Sequence, residues 1–236
     1  MRRTEQTIFP NMNNNDQPSM GISLQGWAAA LAGVVAASLV GCHTTGYRQS
    51  DAAAGSSQAA SAEILVESRE LEATAGALTE LVNQPAADAR PQFLAFSAAL
   101  DRLSASARRA GGGVNRMWRN RSSYFEIWDK EIAAISDAEI RKSSQARKAE
   151  VSSQFDSVSH QYDEAQDQLA SLIHYLQDIR KSLSTDLTRQ GLAATQPSAR
   201  QAGERARQVQ NALTQSAAAL DTLSARTASF RVQEVK

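Results

Sequence analysis

The chain has 236 residues, with 25 basic and 25 acidic side chains and a formal net charge of zero. No global charge selects nucleic acid or an acidic substrate, and one cysteine leaves nothing to build a disulfide framework. Leu, Ile, Val and Phe supply only about a fifth of the residues, so the 42% hydrophobic share rests on alanine, and narrow helical seams are expected in place of one thick core.

The first feature along the chain is an apolar run, Trp27 to Val40. At about fourteen residues it is too short for a transmembrane helix, which needs roughly twenty, and it fits the hydrophobic part of a secretory signal. It closes on Leu39-Val40-Gly41-Cys42, which holds the only cysteine. This tetrapeptide resembles the bacterial lipobox. The resemblance implies that residues 1–41 are removed and that Cys42, thioether-linked to diacylglycerol, becomes the acylated mature N-terminus. Each buried acyl methylene adds about 0.8 kcal/mol of membrane affinity. No Lys or Arg directly precedes the run, since Arg2 and Arg3 lie far upstream. The competing reading is an uncleaved apolar anchor with an incidental cysteine. His43 is not the aspartate that retains some lipoproteins at the inner membrane, so the expected place is the outer membrane, facing the periplasm.

Residues 42–60 are rich in Ser, Ala, Gly and Gln with little to bury, and composition predicts a flexible tether there. The folded part is expected over 61–232. A first helix is predicted over about Ala60 to Val82, with Ile64, Leu71, Ala75, Leu78 and Val82 on one side. Pro85 and Pro91 bound a turn. A second helix carries Phe93, Phe96, Leu100, Leu103 and Ala107 to about Arg109, and Gly111-Gly112-Gly113 is expected to interrupt it as a hinge. A third, Val114 to Ile135, places Trp118, Phe125, Trp128, Ile132 and Ile135 on one face. Ser136 and Glu139 have the spacing of a capping box, read as a helix break in preference to a tolerated pair inside a continuous helix.

The longest regular pattern follows. Val151, Phe155, Val158, Tyr162, Ala165, Leu169, Leu172, Leu176, Ile179 and Leu183 alternate steps of four and three, the mark of a coiled-coil seam. A helix from Ala138 to Gln190 would be about 80 Å long. Gly191 is expected to cap it and Pro197 to prevent its continuation. The last helix, about Ser198 to Phe230, repeats Ala206, Val209, Leu213, Leu220, Leu223 and Phe230, with Ser216 and Thr227 as weaker members. The fold class is therefore all-α, an elongated antiparallel bundle or coiled coil with one very long helix. That helix outruns its predicted neighbour, and the uncovered length hints at a homodimer.

Chemistry is sparse. His160 and His174 are fourteen residues apart, about 21 Å along a helix, so one ion cannot take both. Asp163, Glu164 and Asp167 read as a solvated face. No nucleophile elbow, phosphate loop or histidine-based triad is visible. No cofactor or metal is expected, and the chain does not read as an enzyme. The one local bias is basic: Arg102, Arg108, Arg109, Arg116, Arg119 and Arg121, interleaved with Trp118 and Tyr124. The default reading is a solvated helix face with arginines paired to nearby acids. The sharper one is an interaction surface of Arg116, Trp118, Arg119, Arg121 and Tyr124 for lipid headgroups or an anionic envelope polymer. Nucleic acid is a poor partner for an extracytoplasmic chain.

Tyr124-Phe-Glu-Ile-Trp-Asp-Lys-Glu131, Ile140-Arg-Lys-Ser143, Tyr175-Leu-Gln-Asp-Ile179 and Asp186-Leu-Thr-Arg-Gln-Gly191 together resemble an uncharacterised family of bacterial envelope proteins, domain of unknown function 2959. The resemblance spans roughly Ala60 to Arg226 and is best at Phe125 to Glu131. It implies a helical, coiled-coil envelope protein and supplies no catalytic residues. The function expected from all of this is a non-enzymatic, membrane-anchored scaffold or adaptor that holds an envelope protein or polymer. The alternative is a lipid-binding bundle that opens to place Trp118, Phe125 and Trp128 in a bilayer.

Overall fold

The computed structural model describes residues 45–229. The expected signal segment, Cys42, His43 and Phe230 lie outside the described residues. The described chain forms four helices and no strand: α1 (Thr45–Asn83), α2 (Arg90–Ala134), α3 (Ala138–Thr185) and α4 (Arg189–Thr227). Short connections reverse the chain after each helix, so sequence neighbours run antiparallel. α1 packs on α2 and α4, α3 packs on the same two, and α1 and α3 sit on the diagonal. This is the all-α bundle that the periodicity predicts.

The α3 stripe is buried at each of its ten predicted positions, Val151 to Leu183. It faces Phe96, Leu100, Leu103 and Phe125 of α2 and Ala199, Val209, Leu213 and Leu220 of α4 in one continuous core. These ten positions are all covered within the one chain. Among the described residues the exposed large apolar side chains are Tyr47, Leu65, Leu94 and Ile140, well separated along the chain.

Four sequence expectations are corrected. The tether over 42–60 is helix from Thr45 onward. Its inward-facing residues, mostly Ala and Ser before Ile64, recur at intervals of seven in three columns: Ser50, Ser57, Ile64, Leu71, Leu78; Ala53, Ala60, Glu67, Thr74, Leu81; and Ala54, Ser61, Ser68, Ala75, Val82. Composition suggested a linker, but spacing makes a face. Alanines and serines let α1 approach α2 and α4 more closely than α3 does. The buried hydroxyls cost little, because Ser57 Oγ donates to Ala53 O at 3.0 Å and Thr74 Oγ1 to Glu70 O at 2.7 Å. The hydrophobic return is also small, about 0.8 kcal/mol for a buried methyl-sized group against about 1.5–3 for a buried Leu or Ile.

The triple glycine does not interrupt α2, which runs unbroken through Gly111, Gly112 and Gly113. Helical hydrogen bonding needs no side chain, and the buried Gly113 lies against Ala60 of α1, where an added Cβ would be 3.6 Å from the Ala60 Cα. The break near Ser136 is real, but Asp137 is the cap. Its carboxylate accepts from Glu139 N at 3.0 Å and Ile140 N at 2.9 Å. Arg141 completes the turn by donating from Nε and Nη2 to Ile135 O at 3.0 and 2.8 Å, satisfying the open end of α2.

The fourth correction concerns the last turn. α3 ends at Thr185, five residues before the expected Gln190, and α4 begins at Arg189. Gly191 does not cap α3. It lies in the first turn of α4, where its N–H donates to the Thr188 cap oxygen at 3.2 Å. Pro197 sits inside α4 on its exposed side, so the carbonyl that loses its partner can be hydrated.

Candidate functional site

The expected interaction surface divides in two. Arg116 and Arg119 point to solvent from α2, whereas Arg121, Trp118 and Tyr124 turn toward the core. Phe155 of α3 is fully buried and anchors this layer. It meets Phe125 edge-on, with centroids 5.8 Å apart, and Trp118 at 6.4 Å, while Tyr124 stands 5.1 Å from Trp128. The Arg121 guanidinium is wedged among these rings, 4.9 Å from the Trp118 centroid, 5.0 Å from Phe125 and 5.7 Å from Phe155. Its Nη2 donates to Asp156 Oδ1 at 2.6 Å and to Ser152 Oγ at 3.0 Å. Arg121 is thus a rivet between α2 and α3.

A flat, delocalised cation suits a stacked site in a way an ammonium does not. Arg121→Ala should cost about 1–2 kcal/mol through lost cation–π contact and lost packing. Arg121→Lys should recover little of it. Urea unfolding monitored by far-ultraviolet circular dichroism checks both. A lysine variant as stable as the parent would show that charge alone matters here.

The other candidates are dispersed. His160 and His174 are exposed on α3, and His160 Nδ1 lies 3.3 Å from Glu164 one turn on. Among the described residues, no three His, Cys, Asp or Glu side chains come close enough to share a metal ion. Between Trp128 and Arg141 there is a single indole bond, Trp128 Nε1 to Ser144 Oγ at 3.1 Å, beside the Arg141 cap. Near Thr45 the first turn of α1 and α2 form a largely apolar cavity of about 220 Å³, lined by Tyr47, Ser50, Tyr124, Ile127, Trp128 and Glu131.

One group escaped the sequence reading. Glu67 occupies the middle column of α1, between Ala60 and Thr74, and is fully buried. Gln166 Nε2 reaches across the diagonal from α3 and donates to both carboxylate oxygens at 3.0 Å. Burial pushes the Glu67 carboxyl up to about 7, a rise that the Gln166 hydrogen bond only partly offsets. Nearby Tyr162 is buried, its hydroxyl has no protein partner, and burial together with the charge of Glu67 raises its ionisation well above the ordinary range. The signal was present in the chain as the step of seven from Ala60 to Glu67 to Thr74.

A protein-family model described as "Protein of unknown function (DUF2959)" matches residues 45–225. No curated protein and no solved structure matches the chain.

Proposed function

We propose that this chain, which belongs to the DUF2959 family of proteins of unknown function, is an acyl-anchored helical spacer of the bacterial envelope that positions a partner near the membrane. The observation that carries this reading is the sequence Leu39-Val40-Gly41-Cys42 at the end of an apolar run, followed within three residues by the start of α1 at Thr45. Cleavage before Cys42 would leave so short a connection that the Thr45 end of the bundle stands within about 10 Å of the acylated residue. Among the described residues no helix is long and apolar enough to cross a membrane. Supporting it, the surface is electrically mixed and laced between helices by Arg102–Glu70, Arg180–Asp101 and Lys148–Asp129. Such a surface suits a spacer better than a membrane-inserting peptide.

The lipid-binding alternative asks Trp118, Phe125 and Trp128 to leave the layer around Phe155, and no observation favours that step. Metabolic labelling with an alkyne-tagged fatty acid tests the anchor directly. Full-length protein should carry the label and sediment with membranes, and Cys42→Ser should do neither. Intact-mass spectrometry that finds a free thiol with residues 1–41 still attached overturns the reading. Crosslinking in cells, followed by recovery of the bundle, should bring down an envelope protein or polymer.

A further inference from the structure

We propose that Thr45–Glu67, the first half of α1, is a releasable arm, docked on the bundle while the Glu67 carboxyl is neutral and freed when it ionises. Two features of the structure meet at Glu67. The first is the site itself. The carboxyl is fully buried at a core position, and among the described residues Gln166 is the one hydrogen-bond donor on it. The second is what holds the helix on either side. From Glu67 onward α1 is fastened by Leu71, Leu78, Leu81 and Val82. Before it, the buried side chains are Ser50, Ala53, Ala54, Ser57, Ala60, Ser61 and a single larger one, Ile64. Hydrogen bonds to α4 and the segment after it supplement them, Ser224 Oγ to Ala54 O and Ser229 N to Asp51 Oδ1 among the described residues, both at 2.9 Å. The weakly held half of the helix ends at the buried acid.

No neighbour supplies a charge that would keep the carboxylate ionised in place. On α3 the facing groups are Gln166 and Tyr162, with Asp163 next to Tyr162 in the chain, and none of them is a cation. On α2, Arg102 is held by Glu70 one turn away, while Arg108, Arg109 and Arg116 are exposed. The hydrogen bonds Gln210–Glu72 and Ser224–Ala54 fix the register of α4, and its residues level with Glu67 fall between Gln208 and Leu220, where the chain has no ionisable side chain. On α1 itself the nearby charges are Glu63, Arg69 and Glu70. An ionised Glu67 therefore gains most by reaching water, and the half-helix before it is the cheapest part of the bundle to move.

The sign follows from linkage. The docked carboxyl holds its proton up to about pH 7, whereas a released one lets go in the ordinary glutamate range. Docking is complete in acid and weakens as pH rises through that interval, then weakens no further above it. Released, the 23 residues of Thr45–Glu67 change from about 35 Å of helix to a segment that can span up to about 80 Å. If Cys42 is acylated as proposed above, the anchored bundle would gain that reach in neutral surroundings. The release itself does not depend on the anchor.

Hydrogen exchange on the full-length protein tests this, read by mass spectrometry from pH 5 to 8 and corrected for intrinsic rates. Opening of peptides within 45–67 should rise on the order of 50-fold between pH 5 and 7.5 and then level off, with α2, α3 and α4 little changed. Glu67→Gln keeps the shape and removes the titration, so its profile should be flat. Gln166→Met, which removes the donor, should move the wild-type midpoint to higher pH. No pH response, a response spread evenly over all four helices, or one that survives in Glu67→Gln overturns the proposal. A missing acyl group at Cys42 would remove the change in reach and leave the exchange result standing, so the two failures are distinguishable.

Discussion

Phe155→Ala should destabilise the bundle by about 3–5 kcal/mol, the range for deleting a large buried aromatic. Phe155 is fully buried and is the one ring that joins the α2 aromatic layer to α3, touching Trp118, Phe125 and the Arg121 guanidinium together. Removing it leaves a void between the two helices that approach each other least closely among the packed pairs. Collapse into that void is therefore limited, and the cost should fall toward the upper end of the range. Urea denaturation gives the free energy, and the emission maximum of Trp118 should move to longer wavelength in the folded baseline as water enters. A loss under about 1 kcal/mol would mean that the layer repacks freely and that Phe155 is not its anchor.

Gly191→Ala should cost about 1–3 kcal/mol, although alanine is the better helix former and Gly191 is in a helix. A Cβ there would fall 2.3 Å from the carbonyl oxygen of Asp186 and 2.6 Å from its Cγ. The first of these is backbone, so a side-chain rotation cannot relieve the contact, and the α3–α4 turn itself must shift. That turn is tightly wired. Asp186 Oδ1 accepts from Thr188 N at 3.2 Å and from Thr188 Oγ1 at 2.7 Å, and Thr188 in turn caps α4. These bonds hold the Asp186 carboxyl below the usual carboxylate range. Thermal melts of the alanine variant check the sign. A gain in stability, as helix propensity alone predicts, would show that the turn can give.

The parts of the fold that the sequence disclosed are those where large apolar residues mark the seam. The α3 stripe is legible because every position in it except Ala165 is a big side chain, and an alternating step of four and three has no other simple reading. The first half of α1 is built on the same spacing, but its markers are Ala and Ser, which are as common in linkers as in close-packed helices, so composition outweighed period. Gly111–Gly113 misled for a related reason. Glycine lowers helix propensity wherever it stands, and only the packing of α2 on α1 offsets that cost. Arg121 and Glu67 share another cause. Charged residues are assigned to solvent by default, and what contradicts the default is a partner far along the chain, Asp156 for one and Gln166 for the other. Of the five residues offered as an interaction surface, Arg116 and Arg119 alone face outward free of the core, because Trp118 and Arg121 pack on Phe155 and Tyr124 packs on Phe125 and Trp128.

An even number of antiparallel helices brings the chain back to where it began, and the bond from Ser229 N to Asp51 Oδ1 records that return. A reporter joined directly after Ser229 would therefore start beside the Asp51 end of α1. The Pro85–Asp88 connection is exposed and lies at the opposite tip, some four dozen ångströms away or more by the length of α1. Insertion there would carry a reporter to the end of the bundle farthest from Asp51, so the two positions label opposite tips of the described helices.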